Sequence, residues 1–324
     1  MTQPRILVTG AAGFVGSNAS QALVNAGFTV YGLVRPGDPA SLSNGVQRIE
    51  HDLKTPVSPS VLTDVDVVLH LAYKPYGPKL PRMGKARQAL LASCYEMNVE
   101  QVSALAQQAA HAGVSHFIFL SSAHVMGPNR SNLYTDHDLP EPDDTDVLAQ
   151  QKFNAEQKIT RIANHSSLSV TILRLPLVYG PHMKGRFIQL LRSIQKGVKF
   201  PFSFVQNNQS ILGIENLISA LTRVIQQPSK GTRTYLLADP TPISTPNLIR
   251  ILAHALNCPD PIRKTTEKKV TFMFKILGKR RVLQRQITSF HIDSSRFQTE
   301  FNWQPPYITQ EGLDQFVEWY LNES

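Results

Sequence analysis

Three glycines spaced three residues apart, Gly10, Gly13 and Gly16, stand between the apolar run Arg5–Thr9 and a helical pattern that begins at Gly13. A strand that turns through Gly-x-x-Gly-x-x-Gly into a helix suits one kind of chemistry, the binding of a pyrophosphate. The first glycine permits the tight turn, the second lets the backbone approach the ligand, and the third lets helix and strand pack closely. The helix N-terminus then faces the negative charge. Gly10, Ala12, Gly13, Phe14, Val15 and Gly16 are therefore expected to contact a nicotinamide dinucleotide. The residue ending the second strand selects between cofactors, because an acid there accepts from the ribose hydroxyls and an arginine accommodates a 2′-phosphate. That position is Arg35, and Asp38 is the first acid to follow. This favours NADP over NAD, although an arginine can also stack on adenine without selecting a phosphate.

Strands and helices must alternate to place such a loop, and they do. Strands are expected at Arg5–Thr9, Thr29–Val34, Gln47–Glu50, Val67–Leu71, His116–Ser121 and Ser169–Leu175, with helices over Gly13–Ala26, Met97–Ala112 and Val147–Asn164. Four of the strands are short and almost wholly apolar, as in a parallel sheet covered on both faces. The fold class is α/β, a Rossmann-type doubly wound parallel sheet with a smaller C-terminal substrate-side domain. The expected domains are 1–180, with Thr234–Leu237 adding a later strand, and 181–324, where the pattern breaks into shorter elements.

The bulk numbers exclude several classes. With 324 residues, 42% hydrophobic and 18% charged, the chain has the composition of a folded globular protein. Cys94 and Cys258 stand far apart, so neither a disulfide framework nor a metal site is expected. A strand-like segment follows Met1–Pro4 directly, and no apolar run approaches the ~18 residues of a membrane span, so the expected location is cytoplasmic. Much of the net charge of +9 lies between Arg263 and Arg285. It reads as a solvated basic helix, with membrane-surface or partner docking as the alternative. No nucleic-acid-binding module accompanies the charge, so no nucleic-acid partner is expected.

Further segments occur in a telling order: Thr9–Gly16, Asp52-Leu53, His70-Leu71-Ala72, Asn98, Ser121–Gly127, Arg174–Pro181, and Phe301–Pro305 followed by Glu311-Gly312-Leu313. Over almost the whole chain they resemble the extended short-chain dehydrogenases/reductases, in their sugar-nucleotide 4-epimerase and dehydratase branch. The resemblance implies that Asp52 and Leu53 contact adenine. Leu71, Ala72, Tyr73, Asn98 and Ser121 would lie beside the cofactor, and Pro176 and Val178 would line the nicotinamide.

That family works through Tyr-x-x-x-Lys on one helix, whose i, i+4 spacing puts both side chains on one face. The lysine lowers the tyrosine pKa and holds the ribose, the phenolate removes a substrate proton as hydride leaves, and a serine shares the hydrogen bond. Lys152 and Ser122 match the lysine and the serine, but the tyrosine position carries Leu148, which can neither donate nor accept a proton. Tyr73, His124 and Tyr179 are the candidate stand-ins, and the catalytic set expected from sequence is Ser122, Lys152, Tyr73 and His124. Gln209 stands where relatives carry an arginine that grips the substrate diphosphate, with Lys184, Arg186 and Arg192 as cations that could compensate. The expected function is an NAD(P)-dependent epimerase, dehydratase or reductase acting on a sugar nucleotide or related hydroxyl or keto substrate, with altered proton transfer. The alternative is a cofactor-binding protein that has lost redox chemistry and serves as a regulatory or assembly partner. A homodimer is left open.

Overall fold

A computed structural model describes residues 3–75, 84–128, 133–278 and 280–323; Lys279 of the basic segment lies outside them. Among the described residues the strands are β1 (Arg5–Thr9), β2 (Thr29–Val34), β3 (Val46–Glu50), β4 (Val67–His70), β5 (His116–Ser122), β6 (Leu133–Tyr134), β7 (Ser169–Leu175), β8 (Leu177–Tyr179), β9 (Ile211–Gly213), β10 (Thr232–Leu236) and β11 (His291–Ile292). The helices are α1 (Phe14–Asn25), α2 (Pro59–Leu62), α3 (Lys85–Tyr95), α4 (Gln101–His111), α5 (Val147–Asn164), α6 (Arg186–Gln195), α7 (Ile214–Gln226), α8 (Thr245–Ala255), α9 (Glu267–Ile276), α10 (Arg280–Ile287), α11 (Ser295–Glu300) and α12 (Thr309–Glu323).

Seven of the described strands form one sheet in the order β10-β7-β5-β4-β1-β2-β3, and the register of β1 through β5 and β7 is parallel. Sequence order runs outward from β1 through β2 and β3 on one side and resumes with β4 on the other. A crevice at the carboxyl ends of β1 and β4 follows from that reversal, the place where doubly wound sheets bind ligands. All four residues of β4 and all seven of β5 are buried, which accounts for their apolar runs.

The chain divides into two compact units, one holding described residues within 1–127, 139–175 and 220–235, the other those within 128–138, 176–219 and 236–324. These bounds differ from the expected 1–180 and 181–324. The chain returns to the first unit because the strand expected at Thr234–Leu237 is β10, an outer strand of the sheet, beginning two residues earlier at Thr232. Leu7, Val68, Phe117, Ile159 and Ile172 belong to the core of the first unit. In the second, Tyr179, Leu191, Leu252 and Phe316 lie in the core, to which α6, α8 and α12 contribute.

Candidate dinucleotide and catalytic site

Gly10 ends β1 in the left-handed region at φ +68°, and a Cβ there would lie 2.9 Å from both the Cα and N of Ala72. The turn closes with Gly13 N–H donating to the Gly10 carbonyl at 2.9 Å. Gly16 is buried in the first turn of α1, where a Cβ would meet the Gly10 oxygen at 2.1 Å. Gly13, the N-cap, is exposed, and a Cβ there would meet one neighbour alone, the Gly10 oxygen at 3.1 Å. Two glycines are thus filled in by the fold and the middle one opens outward, which is the cradle a pyrophosphate requires. Ala12, Phe14 and Val15 stand around it, Ala12 and Val15 half-buried. Thr9 ties the loop to β4: its hydroxyl oxygen accepts from the N–H groups of Leu71 and Ala72 at 3.1 and 3.2 Å and lies 3.0 Å from His70 Nδ1.

The carboxyl end of β5 carries the second cluster. Lys152, on α5, sends Nζ to the Leu120 carbonyl at 2.7 Å, and the ammonium lies over the rings of Phe119 (4.6 Å) and Tyr73 (5.1 Å). Burial pushes its pKa down to about 8, against the pull of Glu156. Glu156 is itself engaged with Arg174, in a buried ion pair of 2.7 Å. Ser122 Oγ accepts from the His124 N–H at 3.2 Å, which leaves its own proton free to be donated. His124 Nδ1 is 3.5 Å from Asp146, the residue that caps α5 by accepting from the Ala149 N–H at 3.3 Å. The imidazole is 45% exposed, so it can reach a ligand. Leu148 is half-buried one turn before Lys152 on the same helix.

Asn98 falls where the sequence pattern predicts a helix starting at Met97, and the helix there is wound as a π-turn over Glu96–Glu100. Its side chain leaves the helix to grip the backbone of Lys74, accepting from N–H at 2.7 Å and donating to the carbonyl at 2.9 Å, and it donates to Gln151 as well. This pins the segment after β4 beside Lys152. Ser121 Oγ and His70 Nε2 are buried without a hydrogen-bond partner. His70, stacked against Phe117 and Phe119, is held neutral by burial with a pKa pushed down to about 3. Such orphaned polar atoms beside a glycine cradle fit a site meant to take a polar ligand.

Other expected residues are held by contacts of their own. Arg35 is exposed at the end of β2, with its guanidinium 3.4 Å from Asp38. Asp52 pairs with Lys54 at 3.0 Å, and the Lys54 N–H holds its carboxyl below the usual range. Leu53 is buried with a left-handed φ of 60°, steadied by its N–H donating to His51. Pro176 and Val178 begin the second unit, Val178 within β8. Tyr179, one of the stand-ins considered for the acid/base, is removed by its surroundings. It is buried, its hydroxyl donates to Asp239 at 2.9 Å, and burial with that carboxylate raises its pKa far above the ordinary phenol value. Gln209 spends its amide on the Thr288 carbonyl, and Asn207 is bound to Thr245, Gln286 and Thr288.

The chain matches the model of the NAD dependent epimerase/dehydratase family over residues 6–238. It belongs to that family. Among curated relatives it is 30% identical to a UDP-glucose 4-epimerase of Vibrio cholerae, over 98% of this chain and 95% of the relative. It is 26% identical to UDP-glucuronate 4-epimerase 1 of Arabidopsis thaliana, over 98% of this chain and 76% of that protein. The fold is shared with a UDP-glucuronic acid 4-epimerase from Bacillus cereus solved with UDP-glucuronic acid and NAD (TM-score 0.77, 21% identity, 99% and 100% of the two chains). It is shared too with the dTDP-glucose 4,6-dehydratase DesIV of Streptomyces venezuelae (TM-score 0.74, 20% identity, 98% and 97%).

Three residues of this candidate site are not singled out by sequence for the contacts they make here: Thr9, Asp146 and Gln151. Asp146 has a signal, an acid immediately before a helical pattern, which marks an N-cap. Gln151 and Thr9 act through partners 53 and 61 to 63 residues away, which no local spacing encodes.

Proposed function

We propose that this protein binds NAD on the Gly10–Gly16 loop and interconverts a hydroxyl and a keto group on a sugar nucleotide, with His124 rather than a residue on α5 moving the proton. The observation that carries the reading is the pairing of His124 with Asp146 at the mouth of a cluster whose lysine and serine are in place but whose i−4 position is Leu148. NAD, when bound, supplies the hydride acceptor and donor. The family and the NAD-bound neighbours support that cofactor, and Asp38 competes for the Arg35 guanidinium that would otherwise favour a 2′-phosphate. The sugar-nucleotide substrate class rests on the relatives' activities.

In this reading each residue has a task of its own. Lys152 uses one of three ammonium donors on Leu120 and offers the others to the ribose hydroxyls. Ser122 donates a hydrogen bond from its hydroxyl to the reacting sugar oxygen. His124, oriented by Asp146, takes the proton from that hydroxyl and returns it to the keto oxygen in the reverse direction. The Asn98 clamp holds the segment after β4, and the Phe119 ring lies beneath the ammonium. Gln209, neutral and bonded to the Thr288 carbonyl, offers no charge to a diphosphate.

The deciding experiment measures turnover of UDP-glucose and UDP-glucuronate, and NADH formation at equilibrium, for wild type, His124→Asn and Leu148→Tyr. His124→Asn should lower kcat by about 10²–10⁴-fold with NAD affinity unchanged. Leu148→Tyr should restore much of that loss in the double variant, because a phenol one turn before Lys152 shares its face. Unchanged kcat in His124→Asn would refute the role of His124. A wild type that binds NAD yet never reduces it on any sugar nucleotide would favour the second reading, which Leu148 itself supports, of a cofactor-binding partner without redox chemistry.

A further inference from the structure

Nine of the chain's 33 lysines and arginines, and one of its 24 acids, fall between Arg263 and Arg285, so that this stretch holds +8 of the net +9. It folds as α9 and α10, each of which turns an apolar edge inward: Val270 and Leu283 are buried in the core of the second unit, with Phe274 and Ile287 packed against it. A solvated basic helix would be polar on its remaining faces. Instead, Phe272 and Ile276, an i, i+4 pair about 120–160° around the helix from Val270 and Phe274, are 66% and 69% exposed. Met273, about 60° round from Ile276 towards the buried edge, is 42% exposed, and Leu277, the C-cap of α9, is 57% exposed. Lys268, Lys269 and Lys275 are exposed on the same helix. A face on which large apolar side chains alternate with ammonium groups is the pattern of a helix lying in a lipid interface, its stems and rings in the acyl boundary and its charges among headgroups.

We infer that α9, with the start of α10, docks this protein on an anionic bilayer surface. Charge selects the occupant. A second copy presenting the same face would set like charge against like, which opposes a two-fold contact, whereas anionic headgroups complement it across the whole patch. None of the described helices is long and apolar enough to cross a membrane, so the contact is with the surface. The inference does not depend on the catalytic reading, since it uses no residue of that site.

The test is co-sedimentation of the full chain with vesicles of phosphatidylcholine containing phosphatidylglycerol, against vesicles of phosphatidylcholine alone. The protein should pellet with the anionic vesicles, weakly or not at all with the neutral ones, and less as NaCl is raised. Phe272→Ser/Ile276→Ser and Lys268→Glu/Lys269→Glu should each lower the partition coefficient by about tenfold or more, with melting temperature unchanged because the substituted side chains are exposed. Phe272→Trp should add an emission that shifts to the blue on the anionic vesicles. Failure to pellet, equal pelleting of wild type and both double variants, no blue shift of the added indole emission in Phe272→Trp, or self-association that the double variants abolish without any vesicle binding would each overturn the inference.

Discussion

The three glycines of the loop should respond to substitution in opposite ways, and the difference separates folding from binding. In Gly16→Ala the new methyl would lie 2.1 Å from the Gly10 oxygen, 2.8 Å from its carbonyl carbon and 2.9 Å from Ala11 Cα, all backbone atoms. Side chains cannot yield to relieve it, so α1 must shift from β1. Overpacking of this kind costs about 3 kcal/mol, which for a chain of this size is a fall in Tm of about 4 °C. Gly10→Ala combines a similar contact with Ala72 and about 1–2 kcal/mol for a left-handed alanine. Gly13 differs, with φ −80° and ψ 172°, an extended conformation that valine adopts freely. Gly13→Val should therefore cost about 1 kcal/mol of stability, the scale of an altered N-cap, while its methyl groups fill the open cradle and weaken NAD binding by about 100-fold or more. Thermal melts and NAD titration calorimetry on the three variants provide the assay. A Gly13→Val protein that binds NAD as wild type does, or a Gly16→Ala protein that melts with wild type, would refute the reasoning.

Two further outcomes are expected. Arg35→Asp should weaken NADP binding more than NAD binding, measured by calorimetry with both dinucleotides; equal losses would mean that Arg35 contacts no 2′-phosphate. His116 is buried at the start of β5 with Nε2 2.9 Å from Thr171 Oγ1, and burial pushes its pKa down to about 4. Its folded pKa lies below the unfolded value, so the unfolded chain binds more protons between about pH 6.5 and 4, and stability falls as pH drops through that window by up to about 3 kcal/mol. Urea midpoints from pH 7.5 to 4.5 should fall less steeply for His116→Gln, and an equal slope in the two proteins would count against the assignment.

The frame is plain in the sequence: the glycine loop, the apolar strands and α5, whose bounds match the expected Val147–Asn164. These are signals carried by neighbouring residues, through glycine spacing and hydrophobic period. Dependencies between distant segments are hidden from it. The helix expected to begin at Met97 follows directly on α3 and is distorted into a π-turn where Asn98 reaches to Lys74, a contact that periodicity cannot express. A domain division at 180/181 with Thr234–Leu237 as an added strand includes β10 but not the second half of α7, which returns to the first unit with it because residues 220–235 share contacts that local pattern does not carry. Tyr179 reads as available from its place in the segment that resembles the nicotinamide lining, and only packing against Asp239 shows its hydroxyl to be spent.

Leu148 has a physical consequence for Lys152 on the proposed reading. A phenol at i−4 would give the lysine a polar neighbour on the same face of α5, and as a phenolate it would stabilise the ammonium. Leucine instead offers no polar group; burial pushes the lysine's pKa down to about 8 against the pull of Glu156, with the Leu120 carbonyl as its hydrogen-bond acceptor and two aromatic rings beneath its charge. Near neutral pH such a lysine still carries its proton most of the time, so it remains fit to hold a ribose, but it has no phenol to activate. Its task narrows from tuning an acid to binding a cofactor. Proton transfer must then come from a group that makes no demand on Lys152. His124 meets that condition, because Asp146, fixed as the cap of α5, orients the imidazole beside the Ser122 turn and gives it a carboxylate partner of its own.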